Sequence, residues 1–305
     1  MLLYTHPACL QHDPGPGHPE CPARLDAVLH AVRAAFPALP WRQAPAAGRD
    51  ALRRVHTEAL VAQVLDLPTD ELRRLDEDTA MSPGSPGAAL HAAGAAVAAV
   101  DAVIAGEDRQ AFCAVRPPGH HATGGVAMGF CLFNSAAVAA AHAVHAHGLA
   151  RVAIADFDVH HGNGSQDIFR DEPRVMYASS HQAPLYPYTG EPGDRGSGNL
   201  ANATLAPGAG TEAFRAAWRE RLLPALDAFR PELLLVSAGF DGHRLDPLAD
   251  LSLEADDYRW LSAELAALAR RHAGGRLVSL LEGGYSLSAL RACSVAHLHG
   301  LLEPA

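Results

Sequence analysis

Lysine is absent from this sequence, and all 24 basic residues are arginine, against 34 aspartates and glutamates. The formal net charge is therefore −10, which argues against a nucleic-acid surface or an anionic membrane patch and favours a neutral or cationic substrate. The N-terminus lacks a basic region, and no apolar run approaches the length of a membrane span. We expect no nucleic-acid partner, no membrane partner and a cytoplasmic location.

Cysteine is scarce as well, and its five copies are odd in number without any C-x-x-C spacing. This favours neither a zinc ribbon nor a disulfide framework and fits a reducing compartment. The sequence also lacks an interdomain linker and an internal repeat. A chain of 305 residues that is 49% hydrophobic can bury one large core, so we expect a single domain over residues 1–305. The oligomeric state stays open.

Apolar segments of strand length alternate with helical patterns along the chain. Strands are predicted at residues 1–6, 111–116, 151–157, 173–180, 232–237 and 275–281. Helices are predicted at residues 23–36, 59–65, 87–105, 135–147, 211–229 and 256–272. This alternation favours an α/β fold with a predominantly parallel central sheet.

The most informative stretch is RVAIADFDVHHGNG, residues 151–164. Its apolar first half is typical of a strand that is buried on both faces of a parallel sheet. Asp156, Asp158 and His160 alternate after it, so their side chains project from one side of an extended segment. Carboxylates and an imidazole on one face suit a divalent metal, although satisfied polar groups at a strand end are the simpler alternative.

Polar motifs follow three other predicted strands as well: HH after 111–116, GFD after 232–237 and EGGY after 275–281. In a parallel sheet these strand ends lie at one edge, which is where such folds build catalytic sites. Asp158, His160 and Asp241 would then form a catalytic zinc site, with a fourth position open for water. Fe²⁺ and Co²⁺ also suit these ligands.

The other histidines carry weaker signals. His142, His145 and His147 lie on the predicted helix 135–147 and could face a metal, but a polar helix face is the commoner explanation. The adjacent pair His120 and His121, taken alone, is equally compatible with a solvated loop.

Five motifs occur in a fixed order along the chain: RPPGHHAT, MGFCLFN, DFDVHHGNG, SAGFD…DP and LEGGY. Together with the segment HPECPARL they resemble the metal-dependent histone deacetylase family, in particular its class II members and the bacterial histone-deacetylase-like amidohydrolases. This resemblance implies an arginase/deacetylase-like fold of about eight strands, with the active site at their carboxyl ends. One departure is Ser135, where the family commonly has a second asparagine and where serine can still cap the next helix.

By this resemblance Asp158, His160 and Asp241 bind zinc, which polarises an amide carbonyl and activates a water molecule. His121 is implied as the general base and then acid, and Tyr285 as the hydrogen-bond donor to the oxyanion. The remaining implied catalytic residues are His120, paired with Asp156, and Asn163. A carboxylate raises the basicity of its histidine more than an amide does, so the two histidines are expected to differ in pKa.

The same resemblance assigns a substrate tunnel and an ion site. The implied substrate contacts are Gly129, Phe130, Tyr186, Leu248 and Asp78. A potassium or sodium ion is implied beside the zinc, with contacts at Asp156, Asp158, His160, Ser179 and Ser180. Polyamine-selective relatives carry an acidic gatekeeper in the loop after the third zinc ligand, where this sequence reads DPL.

The sequence therefore predicts a bacterial-type, zinc-dependent hydrolase that removes acetyl or other acyl groups from lysine side chains. An acetylpolyamine amidohydrolase is the alternative within the same chemistry. An arginase-like ureohydrolase needs further carboxylates to bridge two metals, and DVHHGN has none after His160. A catalytically silent acyl-binding module is the alternative from another class, and the intact His121 and Tyr285 argue against it.

Overall fold

The computed structural model describes residues 1–67 and 70–303. The strands of its main sheet are β1 (Leu2–Thr5), β2 (Trp41–Gln43), β5 (Gln110–Cys113), β6 (Val152–Asp156), β7 (Val175–Gln182), β8 (Leu200–Leu205), β9 (Leu233–Ala238) and β10 (Leu277–Leu281). They run parallel in the order β2-β1-β5-β10-β9-β6-β7-β8. A separate antiparallel pair comprises β3 (Arg73–Arg74) and β4 (Ala80–Met81). The predicted α/β fold with a parallel sheet of about eight strands is confirmed.

Helices flank the sheet and connect its strands. They are α1 (Pro22–Ala35), α2 (Arg49–Leu52), α3 (Glu58–Leu65), α4 (Ser85–Ala105), α5 (Ser135–Ala146), α6 (Asn163–Phe169), α7 (Thr211–Ala217), α8 (Leu223–Phe229), α9 (Ala255–His272) and α10 (Leu287–Leu302), with a 3₁₀ turn at Pro7–Leu10. A π turn at Trp218–Leu222 joins α7 to α8. Pro224 has no N–H to donate to the carbonyl four residues earlier. The missing hydrogen bond accounts for the widened turn at this point.

The four strands whose ends carry the polar motifs are neighbours. β5, β10, β9 and β6 occupy consecutive positions in the sheet. Asp156 lies opposite Ser237 and Leu281 lies opposite Ala238, so the carboxyl ends of these strands are aligned. Because β6 and β9 are central, every residue in them is buried, as the apolar sequences predict. The polar residues that follow therefore meet at one edge of the sheet.

The helix α4 contradicts the expectation that no apolar run approaches the length of a membrane span. By length and composition it could cross a membrane, so the prediction that no run approaches that length was wrong. Most of its apolar stretch is buried inside the protein, against β1, β5 and α5. Gly94 permits a close approach to the loop after β2, since a Cβ there would lie 1.9 Å from the carbonyl oxygen of Pro45.

Other differences from the predictions have local causes. The sequence patterns do not predict β2, β8 or α10. The strand β8 includes the buried Asn202, and the buried face of α10 includes Ser294 and His297, so the apolar periodicity is weak in both. Ser135 was expected to cap α5, but it is the first residue inside that helix. Asn134 caps it instead, because its Oδ1 accepts from the N–H of Ala137 at 2.9 Å.

Candidate active site

The site begins where β6 ends, at Asp156. The chain leaves the sheet through residues 157–161 and enters α6 at Asn163. Gly162 lies at the turn between them, where a Cβ would be 2.4 Å from Oδ2 of Asp156 and 2.5 Å from the hydroxyl of Tyr177. The turn therefore requires glycine, and the Tyr177 hydroxyl donates to Asp156 at 2.9 Å.

Asp158, His160 and Asp241 converge beyond the strand ends. One ligand atom from each lies within 4.8 Å of the others, and all three side chains are buried. Nδ1 of His160 is 3.1 Å from Oδ1 of Asp158 and 3.3 Å from Oδ2 of Asp241. The second oxygens of the carboxylates accept backbone N–H groups at 2.8 Å, Asp158 from Gly283 and Asp241 from Val159. These bonds fix both carboxylates and leave one oxygen of each beside the imidazole.

These three side chains fit a divalent cation. Oδ2 of Asp241 is buried and accepts no hydrogen bond from the described residues. Burial, together with the charge of Asp158, raises the pKa of Asp241 to about 7. A cation between these oxygens and His160 would satisfy the unpaired oxygen and offset the crowded negative charge. Two carboxylates and one imidazole suit zinc, and also Fe²⁺ or Co²⁺.

The adjacent histidines enter the same site from the loop after β5. Nδ1 of His120 is 3.0 Å from Oδ2 of Asp156, and Nδ1 of His121 is 2.8 Å from Oδ1 of Asn163. The amide nitrogen of Asn163 donates to the sulfur of Met128 at 3.4 Å, which fixes the amide with its oxygen toward His121. The His121 Nδ1 therefore carries a proton, and its Nε2 retains a lone pair.

The pKa values of the two histidines are shifted in opposite directions. Burial lowers the pKa of His120, but the charges of Asp158 and Asp156 outweigh it and hold that pKa well above its ordinary value. Burial lowers the pKa of His121, and the positive charges of His120 and His160 lower it further, well below its ordinary value. These surroundings therefore favour the protonated form of His120 and the neutral form of His121, which can accept a proton.

Tyr285 is held from two sides. Oδ2 of Asp246 accepts the backbone N–H of Tyr285 at 2.6 Å and that of Ser286 at 3.3 Å. The guanidinium of Arg24 lies over the Tyr285 ring, 4.8 Å from its centroid, and its Nε donates to the carbonyl of Gly284 at 2.5 Å. The sequence patterns assign no role to Asp246 or Arg24, and the contact of Arg24 spans 260 positions of the chain.

A cavity of about 200 Å³ opens above these groups. It is lined by Asp78, His121, Gly129, Phe130, His160, Leu185, Tyr186, Leu248 and Tyr285. All five predicted substrate contacts are therefore at its wall. The rings of Tyr186 and His121 lie edge to face, 5.2 Å apart. A Cβ at Gly129 would approach the His121 ring to 2.5 Å, and the φ of +57° there also favours glycine.

Glu282 is a buried carboxylate that the sequence patterns leave without a role. Its Oε2 accepts the backbone N–H of Gly119 at 2.6 Å and that of His120 at 3.2 Å, and its Oε1 accepts from the Ser237 hydroxyl at 3.2 Å. Burial raises its pKa to about 7. Glu282 therefore positions the backbone that carries the two histidines.

A buried ion cluster supports the wall behind Tyr285. Glu20 accepts from Nη1 of Arg24 at 2.8 Å and from both Nε and Nη2 of Arg116, and all three side chains are completely buried. Burial raises the pKa of Glu20, but the charge of Arg116 outweighs it and holds that pKa well below its ordinary value. The cluster connects the HPE segment to the loop that carries Tyr285.

Glu20→Gln is expected to lower the free energy of unfolding by about 3 kcal/mol, because it leaves two buried guanidinium groups without their anion. Urea unfolding of both chains measures this difference. Glu58→Gln is the control, since Glu58 pairs with Arg49 and Arg53 on the exposed surface, where such pairs contribute below about 1 kcal/mol. An equal loss in the two variants would contradict the structural importance of the cluster.

The predicted contacts of a monovalent ion include two adjacent serines of β7. Ser179 and Ser180 point to opposite faces of the strand, so one ion cannot contact both hydroxyls. The Ser180 hydroxyl accepts from the indole N–H of Trp218 at 3.0 Å, and the Ser179 hydroxyl is 3.0 Å from Nδ1 of His181.

The chain is similar to known proteins over almost its whole length. The profile of the histone deacetylase domain matches residues 18–301. A histone deacetylase-like amidohydrolase of Pseudomonas aeruginosa is 41% identical in an alignment of 293 positions that covers 93% of this chain and 77% of the relative. A probable deacetylase of Archaeoglobus fulgidus is 37% identical, over 93% of this chain and 81% of the relative.

Two further comparisons concern a relative named for another substrate and a solved structure. The polyamine deacetylase HDAC10 of Mus musculus is 37% identical over 95% of this chain and 44% of its own length. The crystal structure of the HDA15 HD domain superposes with a TM-score of 0.92 at 34% identity, and covers 98% of this chain and 87% of that domain.

Proposed function

Because the chain belongs to the histone deacetylase family, we propose that it is a zinc-dependent hydrolase of acyl-lysine amides. The observation that carries this proposal is the buried group Asp158, His160 and Asp241, of which His160 lines the cavity together with His121 and Tyr285. The proposal includes one domain over residues 1–305, a cytoplasmic location and a potassium or sodium ion beside Asp156.

The reaction needs a proton carrier and an oxyanion donor. A divalent ion held by the three ligands would supply Lewis acidity, which would polarise the amide carbonyl and activate a water molecule. The free Nε2 of His121 takes a proton from the attacking water and then delivers it to the leaving amine. Tyr285 donates its hydroxyl to the developing oxyanion, and His120, paired with Asp156, lies beside His121 in the same site.

The cavity wall supports a substrate with a neutral tail. Leu185, Leu248 and Phe130 contribute apolar surface, which suits the methylene groups of a lysine side chain. One observation favours the second candidate, deacetylation of small acetylated polyamines: the Asp78 carboxylate lies in the same wall and could pair with an ammonium group. Turnover of a panel of acetyl-lysine peptides and acetylated polyamines tests both, and hydrolysis of neither would refute the proposed function.

Leu248→Glu is expected to shift selectivity toward acetylspermidine and away from acetyl-lysine peptides by about tenfold or more. An ammonium deep in a substrate needs a local carboxylate to offset its desolvation, and Leu248 offers only apolar contact. The measurement is kcat/KM for both substrates in the two chains. Leu245→Glu is the control, since it adds the same charge to an exposed leucine of that loop outside the cavity lining.

The outcome also separates the two substrate classes. A parent chain that already prefers the acetylpolyamine by tenfold would contradict the preference for acyl-lysine. If Asp78→Asn removed such a preference, the Asp78 carboxylate would be the group that selects the cation.

A further inference from the structure

A second group of metal-ligand side chains lies outside the active site. Oδ1 of Asp101, on α4, is 2.6 Å from Nε2 of His142 and 2.7 Å from Nε2 of His147. One ligand atom from each residue lies within 4.8 Å of the others. His145, the third histidine of this segment, is outside the group.

The group lies at the opposite end of the sheet from the catalytic residues. Asp101 is near the end of α4, which leads into the amino end of β5. His142 and His147 are at the end of α5, which leads into the amino end of β6. An ion bound here would therefore join two helices and could not reach a substrate in the catalytic cavity.

We propose that Asp101, His142 and His147 form a second metal site, for an exchangeable divalent ion of the zinc class. Two imidazoles and one carboxylate are borderline ligands that prefer Zn²⁺, Co²⁺ or Ni²⁺ over Mg²⁺. The Asp101 side chain is 51% exposed, which leaves room for water as a further ligand. The two imidazole rings pack edge to face with centroids 5.1 Å apart. Because they are already packed together, the two side chains lose little conformational freedom when an ion binds.

Arg54 determines how tightly the site binds. Its Nη1 donates to Nδ1 of His142 at 2.9 Å, which requires the lone pair on Nδ1 and leaves the ring proton on Nε2. A metal needs Nε2, so the proton must move to Nδ1 and the exposed guanidinium must turn away. This competition lowers the affinity, and we expect binding in the micromolar range. In Arg54→Gln the amide oxygen can accept the Nδ1–H and favour the metal-binding tautomer.

The test uses the full chain with its catalytic site already loaded, and Zn²⁺ as the probe in calorimetry and thermal unfolding. We expect one further ion and a rise in Tm with zinc concentration, because the ion binds the folded chain. His142→Gln and His147→Gln should each weaken binding at least tenfold, and Arg54→Gln should tighten it about tenfold. His145→Gln is the matched control on the same helix and should leave binding unchanged.

Without added zinc, these variants should unfold with the same cooperativity as the parent, which verifies that they fold. The proposal is overturned if the parent takes up no ion beyond the catalytic one. It is overturned equally if His145→Gln weakens binding as much as His147→Gln, or if Mg²⁺ displaces the zinc at similar concentration. These outcomes are independent of the proposed deacetylase function, which can hold in either case.

Discussion

Asp241→Ala is expected to lower kcat/KM for an acetyl-lysine peptide below detection, and a chelator should do the same to the parent chain. The variant loses one of the three proposed ligands and the buried oxygen that no other described group satisfies. The loss should exceed the roughly 10²-fold that removal of an outer hydrogen-bond partner causes at metal sites. Elemental analysis of the dialysed variant should find less than one zinc per chain.

The control for this prediction is Asp227→Ala. Asp227 is an exposed aspartate that pairs with Arg271 and His272, so its loss should leave both activity and metal content unchanged. For the chelator, the control is the same compound saturated with zinc beforehand. Undiminished activity in Asp241→Ala would show that the ligand assignment is wrong.

His121→Ala is expected to lower kcat by about 10³-fold, which is the scale of losing a general acid and base. Tyr285→Phe is expected to lower kcat by about 10²-fold, the scale of losing one oxyanion donor. The phenylalanine ring can keep its contact with Arg24, so the second variant removes the hydroxyl alone. In both, KM should change little, because the lost interactions act in the transition state.

Both variants should bind as much zinc as the parent, because neither residue is one of the three proposed ligands. Tyr188→Phe is the control for the hydroxyl, since Tyr188 is 77% exposed and is not part of the cavity lining. If Tyr285→Phe turned over at the parent rate, its hydroxyl would have no role in the reaction.

The convergence of Asp158, His160 and Asp241 could be predicted from the sequence for a simple physical reason. Asp158 and His160 lie in one short stretch after a recognisable strand, and β6 and β9 are adjacent in the sheet, so Asp241 arrives at the same edge. In a parallel sheet the carboxyl ends of the strands lie at the same edge, whatever path the connecting segments take. The alternation of strands and helices therefore predicts that these residues lie at one edge of the sheet, whereas the structure shows that β6 and β9 are neighbours.

The supporting residues could not be predicted in this way. Arg24 contacts the loop of Tyr285 across 260 positions, and Glu282 contacts the backbone of Gly119 across 163 positions. Such contacts depend on three-dimensional packing, and no local period encodes them. The group of Asp101, His142 and His147 could not be predicted for the same reason. The sequence pattern places the histidines on one helix, but it does not indicate that Asp101 of a neighbouring helix contacts them.

The most direct test of the proposed chemistry is a zinc titration of the chain after a chelator has removed its metal. Hydrolysis of an acetyl-lysine peptide should rise in proportion to added zinc and level at one ion per chain, since one set of three ligands serves the cavity. The weaker site at Asp101 should leave this endpoint unchanged. Full activity without added metal, or a rise that levels only at two ions per chain, would contradict the mechanism.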